Sequence, residues 1–179
     1  MVDRTQRAIV DAFNRLIADR RFDQITAVEI AAEAGVSKAT FYRYFKDKYD
    51  VMNRNYQVLL DQNALAEGCR GYRDLYRKLF AAGTSELAPI RRAFQSMGVN
   101  SLENYVFGYS REFVVRVTKL NREGRGLTPA EDLQLDVFCY GVSKMYRKWI
   151  YGEYRVDVGE AADKLFEMMP ESLRGYWLP

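Results

Sequence analysis

The residues whose types and spacing could do chemistry lie between Gly35 and Lys48. This stretch reads GVSKATFYRYFKDK, which is typical of a tight turn followed by one short helix. Its four cations, Lys38, Arg43, Lys46 and Lys48, stand against one acidic residue, a local excess of +3 that equals the formal net charge of the whole chain. A helix of this kind, presented by a second helix, can enter the major groove of DNA.

The side chains of this helix offer distinct contacts with DNA. Lys38 can donate to the O6 and N7 atoms of guanine, Thr40 offers a hydroxyl and a methyl group, and Ala39 is small enough to approach a thymine methyl group. The residues expected to contact phosphates are Thr26, Tyr42, Arg43, Tyr44 and Lys48. Ser37, at the helix start, completes the candidate DNA-binding set. The alternative is that these cations form a merely solvated helix face.

The sequence before this helix indicates what holds it in place. Thr26 and Glu29 form a Thr-x-x-Glu capping box that begins a helix, and Gly35 suits the left-handed conformation that follows a helix end. Ala31 is small enough for two helices to cross closely, and Ser37 is placed to cap the next helix. The spacing of Ala31 and Gly35 therefore predicts a helix-turn-helix.

The rest of the chain also carries helical signals and no convincing strand alternation, so the fold class is predicted to be all-α. Further helices are expected over residues 3–19, 48–64, 72–82, 85–97, 101–121, 129–151 and 156–169. In the helix that begins at Thr26, the residues expected to face inward are Val28, Ile30, Ala31 and Ala34.

Composition argues against several classes of protein. The chain of 179 residues has no histidine, which removes His-based triads and His-containing metal sites. Its carboxylates are scattered singly and no glycine-rich phosphate loop occurs, so no enzyme activity, cofactor or metal is predicted. The N-terminus lacks a signal peptide's apolar run and no segment approaches the roughly 18 apolar residues of a membrane span. These features predict a cytoplasmic protein, with Cys69 and Cys139 buried and reduced.

With these residues in view, the first quarter of the chain resembles the DNA-binding domain of TetR-type (TetR/AcrR) transcriptional regulators, a family of homodimeric, ligand-responsive repressors. The match is most specific from Ala31 to Lys48, which reads AAEAGVSKATFYRYFKDK. Tyr49 departs from the pattern, in which a glutamate usually follows the lysine. The stretch from Phe138 to Gly152 is similar to a subgroup that includes regulators of dihydroxyacetone kinase, some of which are activators with a protein partner.

The resemblance implies an N-terminal three-helix helix-turn-helix head, residues 1–48, joined by a linking helix to a larger helical effector-binding and dimerisation domain, residues 49–179. It also implies a repressor released from a palindromic operator by a small-molecule ligand. Candidate contacts for a small apolar or aromatic effector are Phe94, Met97, Tyr105, Tyr109, Phe113, Tyr140 and Tyr146. Core packing is the commoner role of such residues, and both interpretations stay open.

The last two helices are apolar on more than one face, which is typical of helices buried on both sides. We expect them to pair with their two-fold mates in a four-helix dimer interface, an arrangement that the family also uses. The candidate interface residues are Val137, Gly141, Lys144, Ala161, Leu165 and Met168. The alternative is a monomer with a thick core. A second alternative concerns function: an activator or interaction protein of the same fold, working through a protein partner without a small-molecule inducer.

Overall fold

The structure is a computed structural model that describes residues 3–64, 71–85 and 87–174. Within these residues every regular element is helical, with ten α-helices and one short 3-10 helix at Phe22–Gln24, and there is no strand. The prediction of an all-α fold is confirmed. The α-helices are α1 (Arg4–Asp19), α2 (Ala27–Glu33), α3 (Lys38–Tyr44), α4 (Lys48–Ala64), α5 (Tyr72–Ser85), α6 (Leu87–Ala93), α7 (Leu102–Asn121), α8 (Pro129–Ile150), α9 (Val158–Met168) and α10 (Glu171–Arg174).

Packing divides the described chain into two compact units. The first unit holds residues 3–58 and 87–105, and the second holds residues 59–64, 71–85 and 106–174. The sequence-based division after residue 48 differs from this packing, because the first part of α4 and all of α6 belong with the helix-turn-helix.

The core of the first unit is built on the apolar stripe of α1. Ile9, Ala12, Phe13 and Ile17 recur at helical spacing and are all buried. Phe22, in the 3-10 helix, is also buried and meets Phe13 edge-on, with ring centroids 6.4 Å apart. Burying each of the large side chains in this set contributes about 1.5–3 kcal/mol, which exceeds what the local helix signals supply.

The first turns of α4 complete the same core. Val51 and Met52 are buried in the first unit. The side chains of Asn14 in α1 and Asn55 in α4 exchange two hydrogen bonds, of 3.1 and 2.7 Å. Because these amides satisfy each other, the α1–α4 contact combines apolar burial with a directional pair.

The segment 87–105 belongs to the first unit because α6 caps α1. The guanidinium of Arg92 donates to the carbonyl oxygens of Ile17, at 3.1 Å, and of Ala18. These carbonyls lie in the last turn of α1, where no intrahelical donor is available and where a cation also interacts favourably with the helix dipole.

In the second unit, α5 packs along α9. Tyr72 and Phe80 on α5 are buried, as are Ala161, Ala162 and Leu165 on α9. The two alanines permit close approach of the helices, since they carry no side chain beyond Cβ.

An ion-pair cluster lies beside this contact. Asp163 on α9 accepts hydrogen bonds from Arg73, at 2.8 and 2.7 Å, and from Arg77, at 2.9 and 3.2 Å. The hydrogen bonds from Arg73, with the charges of both guanidinium groups, lower the pKa of Asp163 from 3.8 to about 2.

The start of α8 is fixed by local chemistry and by α7. Thr128 and Glu131 form a complete capping box, with Pro129 at the first helical position. Arg122 at the end of α7 donates to both oxygens of the Glu131 carboxylate, at 3.0 and 2.6 Å, and holds the pKa of that carboxyl well below its ordinary value.

The structure differs from the sequence-based helix bounds after α5. The expected helix over 85–97 ends at Ala93; the N–H groups of Gln95 and Ser96 then donate to the carbonyls of Arg92 and Ala93 in a turn, and Gly98 follows with a φ of 87°. The Ser96 hydroxyl oxygen accepts a 2.9 Å hydrogen bond from the backbone N–H of Leu102, which fixes the connection to α7. The short helix α10 follows Pro170, where the sequence predicted only the end of α9.

Val28, expected to face inward, is exposed, since the buried side of α2 is formed by Ile30 and Ala31. Cys139 is buried, and burial raises the pKa of its thiol to about 12. Cys69 lies outside the described residues. Among the described residues, no helix has the length and apolar character required to cross a membrane.

The Asp163 cluster gives a testable pH dependence. A carboxylate whose pKa is depressed in the folded state stabilises the fold at pH values above its unfolded pKa, and that contribution is lost as pH falls through the folded pKa. We therefore expect the free energy of unfolding of Asp163→Asn to be below that of the wild type at neutral pH, with the difference shrinking between pH 3.8 and about 2. Urea denaturation at a series of pH values measures this. A difference that stays constant down to the lower limit would contradict it.

Candidate nucleic-acid interface

The turn between α2 and α3 is a complete Schellman motif. The N–H of Gly35 donates to the carbonyl of Ala32, and the N–H of Val36 donates to the carbonyl of Ala31, both at 3.0 Å. Gly35 adopts a φ of 67°, in the left-handed region that side chains with a Cβ disfavour. This backbone conformation turns the chain sharply, so that α3 begins within three residues of the turn.

Side-chain caps fix the starts of both helices. The Thr26 hydroxyl oxygen accepts from the N–H of Glu29 at 3.2 Å, and the Glu29 carboxylate accepts from the N–H of Thr26 at 2.9 Å. The Ser37 hydroxyl oxygen accepts from the N–H of Thr40 at 3.0 Å and lies 2.9 Å from the Thr40 hydroxyl. Replacing such a cap residue by alanine costs about 1 kcal/mol of stability. Each cap is therefore a large contribution to the stability of a helix of only seven residues.

The inner side of α3 anchors it to the core. Phe41 is completely buried and Phe45, which ends the helix, is nearly so; their ring centroids are 6.0 Å apart. The opposite side of α3 carries the exposed residues Lys38, Ala39, Tyr42 and Arg43. The two aromatic anchors therefore decide which residues of α3 face outward.

Two cations of α3 lie close to tyrosine rings of the same helix. The Lys38 ammonium lies 6.0 Å from the centre of the Tyr42 ring, and the Arg43 guanidinium lies 5.2 Å from the centre of the Tyr44 ring. Both are within the range of cation–π attraction. The cations are thus held near the helix surface while their N–H donors remain available.

Tyr44 is tied to the start of α1. Its hydroxyl donates at 2.9 Å to Asp3, which also caps α1 by accepting from the N–H of Thr5 at 2.7 Å. These hydrogen bonds, the one from Thr5 first, lower the pKa of the Asp3 carboxyl. This role of Asp3 was not predicted from the sequence, although an aspartate just before an apolar helical stripe is a recognisable helix cap.

The side chain of Lys48 turns into the head rather than away from it. Its ammonium donates to the carbonyl oxygens of Phe22 and Ile25, both at 2.8 Å, and of Asp23, at 3.3 Å. Burial lowers the pKa of this ammonium, an effect that the neighbouring carboxylate of Asp23 opposes. Of the residues predicted to contact phosphate, Lys48 is thus the one whose ionised group is engaged inside the head.

The seven residues predicted to contact an effector are divided between the two units. Phe94, Met97 and Tyr105 belong to the first unit, where Phe94 is buried and Met97 is 83% exposed. In the second unit Tyr109 and Phe113 line a cavity of about 40 Å³ between α5 and α7. A cavity of this size holds only a few water molecules, so it does not accommodate a large ligand as it stands.

The two remaining aromatics of that set lie elsewhere in the second unit. Tyr146 packs edge-on against Phe80, with ring centroids 5.3 Å apart, and its hydroxyl donates to the carbonyl of Leu79 at 3.3 Å. Tyr140 is exposed and stacks on Phe107, with centroids 3.8 Å apart. Tyr146 thus has a packing role in this structure, and Tyr140 covers a helix surface.

Five of the six residues predicted for the dimer interface line one groove. An open apolar groove of about 890 Å³ runs between α8 and α9 and is lined by Val137, Gly141, Ala161, Leu165 and Met168, with further apolar residues such as Trp149. Val137 and Met168 are 67% and 68% exposed. Lys144 is exposed on α8 without lining the groove. The exposed apolar side chains that line this groove make it a candidate surface for contact with another protein.

The structure is that of an all-helical protein with an N-terminal helix-turn-helix. The second helix of this motif, α3, has an exposed side that carries cations. Residues 9–54 match the family described as "Bacterial regulatory proteins, tetR family". This match is confined to the N-terminal segment, and the chain is similar to that family there. Proteins of this family are DNA-binding regulators and not enzymes.

Similarity to a curated relative covers a stretch of the same length. An uncharacterized HTH-type transcriptional regulator from Haemophilus influenzae is 46% identical over 46 residues, which is 25% of this chain. The aligned part spans 22% of the length of that relative.

Solved structures extend the likeness to nearly the whole chain at the level of fold. The dihydroxyacetone kinase operon activator DhaS has a TM-score of 0.64 at 13% identity, covering 97% of this chain and 98% of that one. A TetR transcriptional regulator from Rhodococcus has a TM-score of 0.63 at 15% identity, covering 93% and 94%. Thermus thermophilus FadR, a repressor solved in complex with lauroyl-CoA, has a TM-score of 0.59 at 21% identity, covering 92% of each chain.

The Schellman turn generates a stability prediction. Gly35→Ala places a Cβ in the left-handed region with no atom within 4 Å of it, so the cost arises from the backbone alone. We expect a loss of about 1 kcal/mol in the free energy of unfolding. Gly35→Asn is the matched control, because asparagine tolerates this conformation better, and it should lose less. Urea denaturation of the two variants measures the difference, and equal losses would show that φ is not the cause.

Proposed function

We propose that this protein is a sequence-specific DNA-binding transcription regulator that acts in the cytoplasm and inserts α3 into the major groove. The observation that carries the proposal is the two-sided character of α3. Phe41 and Phe45 are buried and fix its rotation, so that Lys38 and its exposed neighbours face outward. Such an arrangement directs the polar N-terminal half of a recognition helix toward base edges.

Within α3 we assign base contacts to Lys38, Ala39 and Thr40 and phosphate contacts to Tyr42 and Arg43. Lys38 and Ala39 are exposed at the helix start, where major-groove readers make their base contacts. Arg43 lies one turn further along, which suits a contact to the backbone. Ser37, Thr26 and Tyr44 border this surface and are proposed to approach phosphates while they cap or brace the helices.

We propose that the protein is a homodimer whose interface is the α8–α9 groove. The groove is apolar and open, and its lining includes most of the residues chosen for this role from sequence. A second copy related by a two-fold axis would cover it with the same surface, as homodimer interfaces require. Two reading heads about 34–36 Å apart would meet successive major grooves, so the operator would be palindromic.

As a mechanism of regulation, we propose a repressor released by a small apolar or aromatic ligand bound in the second unit. Ligand binding would favour a conformation in which α4 swings and the head separation no longer matches the groove spacing. A ligand shifts this equilibrium only as far as its affinities for the two conformations differ, and moving from 1:99 to 99:1 takes about 5.5 kcal/mol. The cavity beside Tyr109 has a volume of about 40 Å³, so α5 and α7 would have to move apart for a ligand to enter it.

A second candidate is an activator of the same fold that works through a protein partner without a small-molecule inducer. The fold-level likeness to the operon activator DhaS favours it, because that structure superposes over 97% of the chain. A gel shift on the promoter region of its own gene, with and without a candidate co-activator, would separate this alternative from a self-sufficient repressor.

The division between base and phosphate contacts is testable on a duplex selected by the protein from a random pool. Lys38→Ala should relax the preference at one base pair by roughly tenfold, since each good base contact contributes about 1–3 kcal/mol of discrimination. Arg43→Ala should weaken all sequences alike and reduce the log–log salt slope, expected near −4 for a dimer, by about 1 per bound subunit. Filter binding at several salt concentrations measures both. Sequence-blind losses from both changes would contradict the division.

The dimer proposal predicts a selective effect of Met168→Glu. A carboxylate in the apolar groove should shift the protein to a monomer and lower affinity for a duplex with two half-sites by roughly a hundredfold, because linked binding is lost. The matched control is Leu120→Glu, which places the same charge at a residue of α7 that is 63% exposed and lies outside the groove. Sedimentation velocity reports the oligomeric state. A monomeric wild type, or identical behaviour of the two variants, would contradict the assignment.

A further inference from the structure

Asp3 uses its two carboxylate oxygens for two different partners. Oδ1 accepts from the N–H of Thr5 at 2.7 Å and so caps α1, while Oδ2 accepts from the hydroxyl of Tyr44 at 2.9 Å. The second bond joins residues 41 positions apart in the sequence and holds the carboxylate at Tyr44, the last residue of α3. An exposed anion therefore lies at the edge of the proposed DNA-binding surface.

The bond to Asp3 limits what Tyr44 can offer to DNA. An ionised carboxylate only accepts hydrogen bonds, and a tyrosine hydroxyl has a single proton, so that proton is the one donated to Asp3. The phosphate oxygens of the DNA backbone also act as acceptors. A phosphate and Asp3 therefore compete for the same proton, and Tyr44 can donate to a phosphate only after its bond to Asp3 is broken.

The charge of Asp3 acts in the same direction as this competition. The two groups that donate to its carboxylate, a backbone N–H and a phenol, are neutral, so they do not cancel its negative charge. A phosphate at the Tyr44 hydroxyl would lie close to this carboxylate, and the two anions would repel each other. The repulsion adds to the cost of breaking the hydrogen bond.

We propose that Asp3 limits the affinity of the head for DNA, because it competes with the phosphate backbone for the hydroxyl of Tyr44. This inference rests on the proposed DNA-binding function, in which Tyr44 approaches a phosphate. Phosphate contacts carry no sequence information of their own. The competition therefore weakens binding to the operator and to unrelated DNA by the same factor, and it leaves the base preference set by the start of α3 unchanged.

Asp3→Asn tests the competition by exchanging one oxygen for an N–H₂ group. The N–H of Thr5 needs an acceptor, so the amide oxygen should keep the capping position, and asparagine caps a helix as well as aspartate does. The amide nitrogen then faces Tyr44 and donates to its hydroxyl oxygen, which leaves the hydroxyl proton available to a phosphate. Asp11→Asn is the matched control, because Asp11 is an exposed aspartate further along α1 and the change in net charge is the same.

We expect Asp3→Asn to bind both a duplex enriched by the wild type from a random pool and an unrelated duplex roughly tenfold more tightly than the wild type. Tyr44→Phe removes the hydroxyl for which the two acceptors compete. In the Tyr44→Phe background the gain from Asp3→Asn should fall to about threefold or less, the part that charge alone supplies. Asp11→Asn should stay near the wild type. Fluorescence anisotropy at one low salt concentration measures these affinities, at a temperature where denaturation curves show each variant to be folded.

Three outcomes would overturn the inference. An affinity of Asp3→Asn at or below that of the wild type would make Asp3 a support for Tyr44 and not a competitor. The same gain with and without Tyr44→Phe would assign the effect to charge or to the new amide, and an equal gain in Asp11→Asn would make it a general effect of net charge. A wild type that binds no duplex at low salt would instead remove the proposed function and this inference with it, so the wild-type measurement alone tells the two failures apart.

Discussion

A helix of seven residues is too short to hold itself in water, because helix nucleation costs more than so few hydrogen bonds return. The exposed side of α3 is therefore held in place by burial of Phe41 and Phe45, which attach α3 to the core formed mainly by other helices. The turn and the cap before α3 place it for that attachment. The Gly35 turn sets the angle at which α3 leaves α2, and the Ser37 cap decides where it begins. The cations of α3 are useful for binding only because this apolar side is fixed.

The second unit follows a different logic, in which large apolar faces are shared between helices. The face of α5 is matched by α9, and the small residues of α9 allow close packing. Exposed apolar residues of α8 and α9, such as Val137 and Met168, line the open groove. In the proposed dimer the groove of one subunit packs against the same surface of the other. The same sequence pattern, apolar residues on two sides of a helix, thus supports both the core of the unit and its proposed interface.

Much of the head was predictable because its determinants are local. The Thr26 and Ser37 caps and the Gly35 turn are encoded within a few residues of where they act, and the structure contains each of them. The contacts of the Lys48 ammonium were not predictable, since its acceptors are backbone carbonyls, which have no side-chain signature and lie far away in sequence. The role of the effector candidates was not predictable for another reason: aromatic residues at helical spacing look alike whether they line a cavity or fill a core. Which of the two applies is decided by neighbouring helices.

The placement of α6 has a consequence for engineering. The first unit is assembled from two stretches of chain that are separated in sequence by part of the second unit. Arg92, in the later stretch, donates to the last carbonyls of α1. A fragment cut after residue 58 would leave the C-terminal end of α1 without its guanidinium and one flank of that helix open to water. A chimaera that moves the helix-turn-helix of this protein onto another protein should therefore include α6 as well as the first 58 residues. A junction drawn by sequence similarity alone would separate two parts that fold as one.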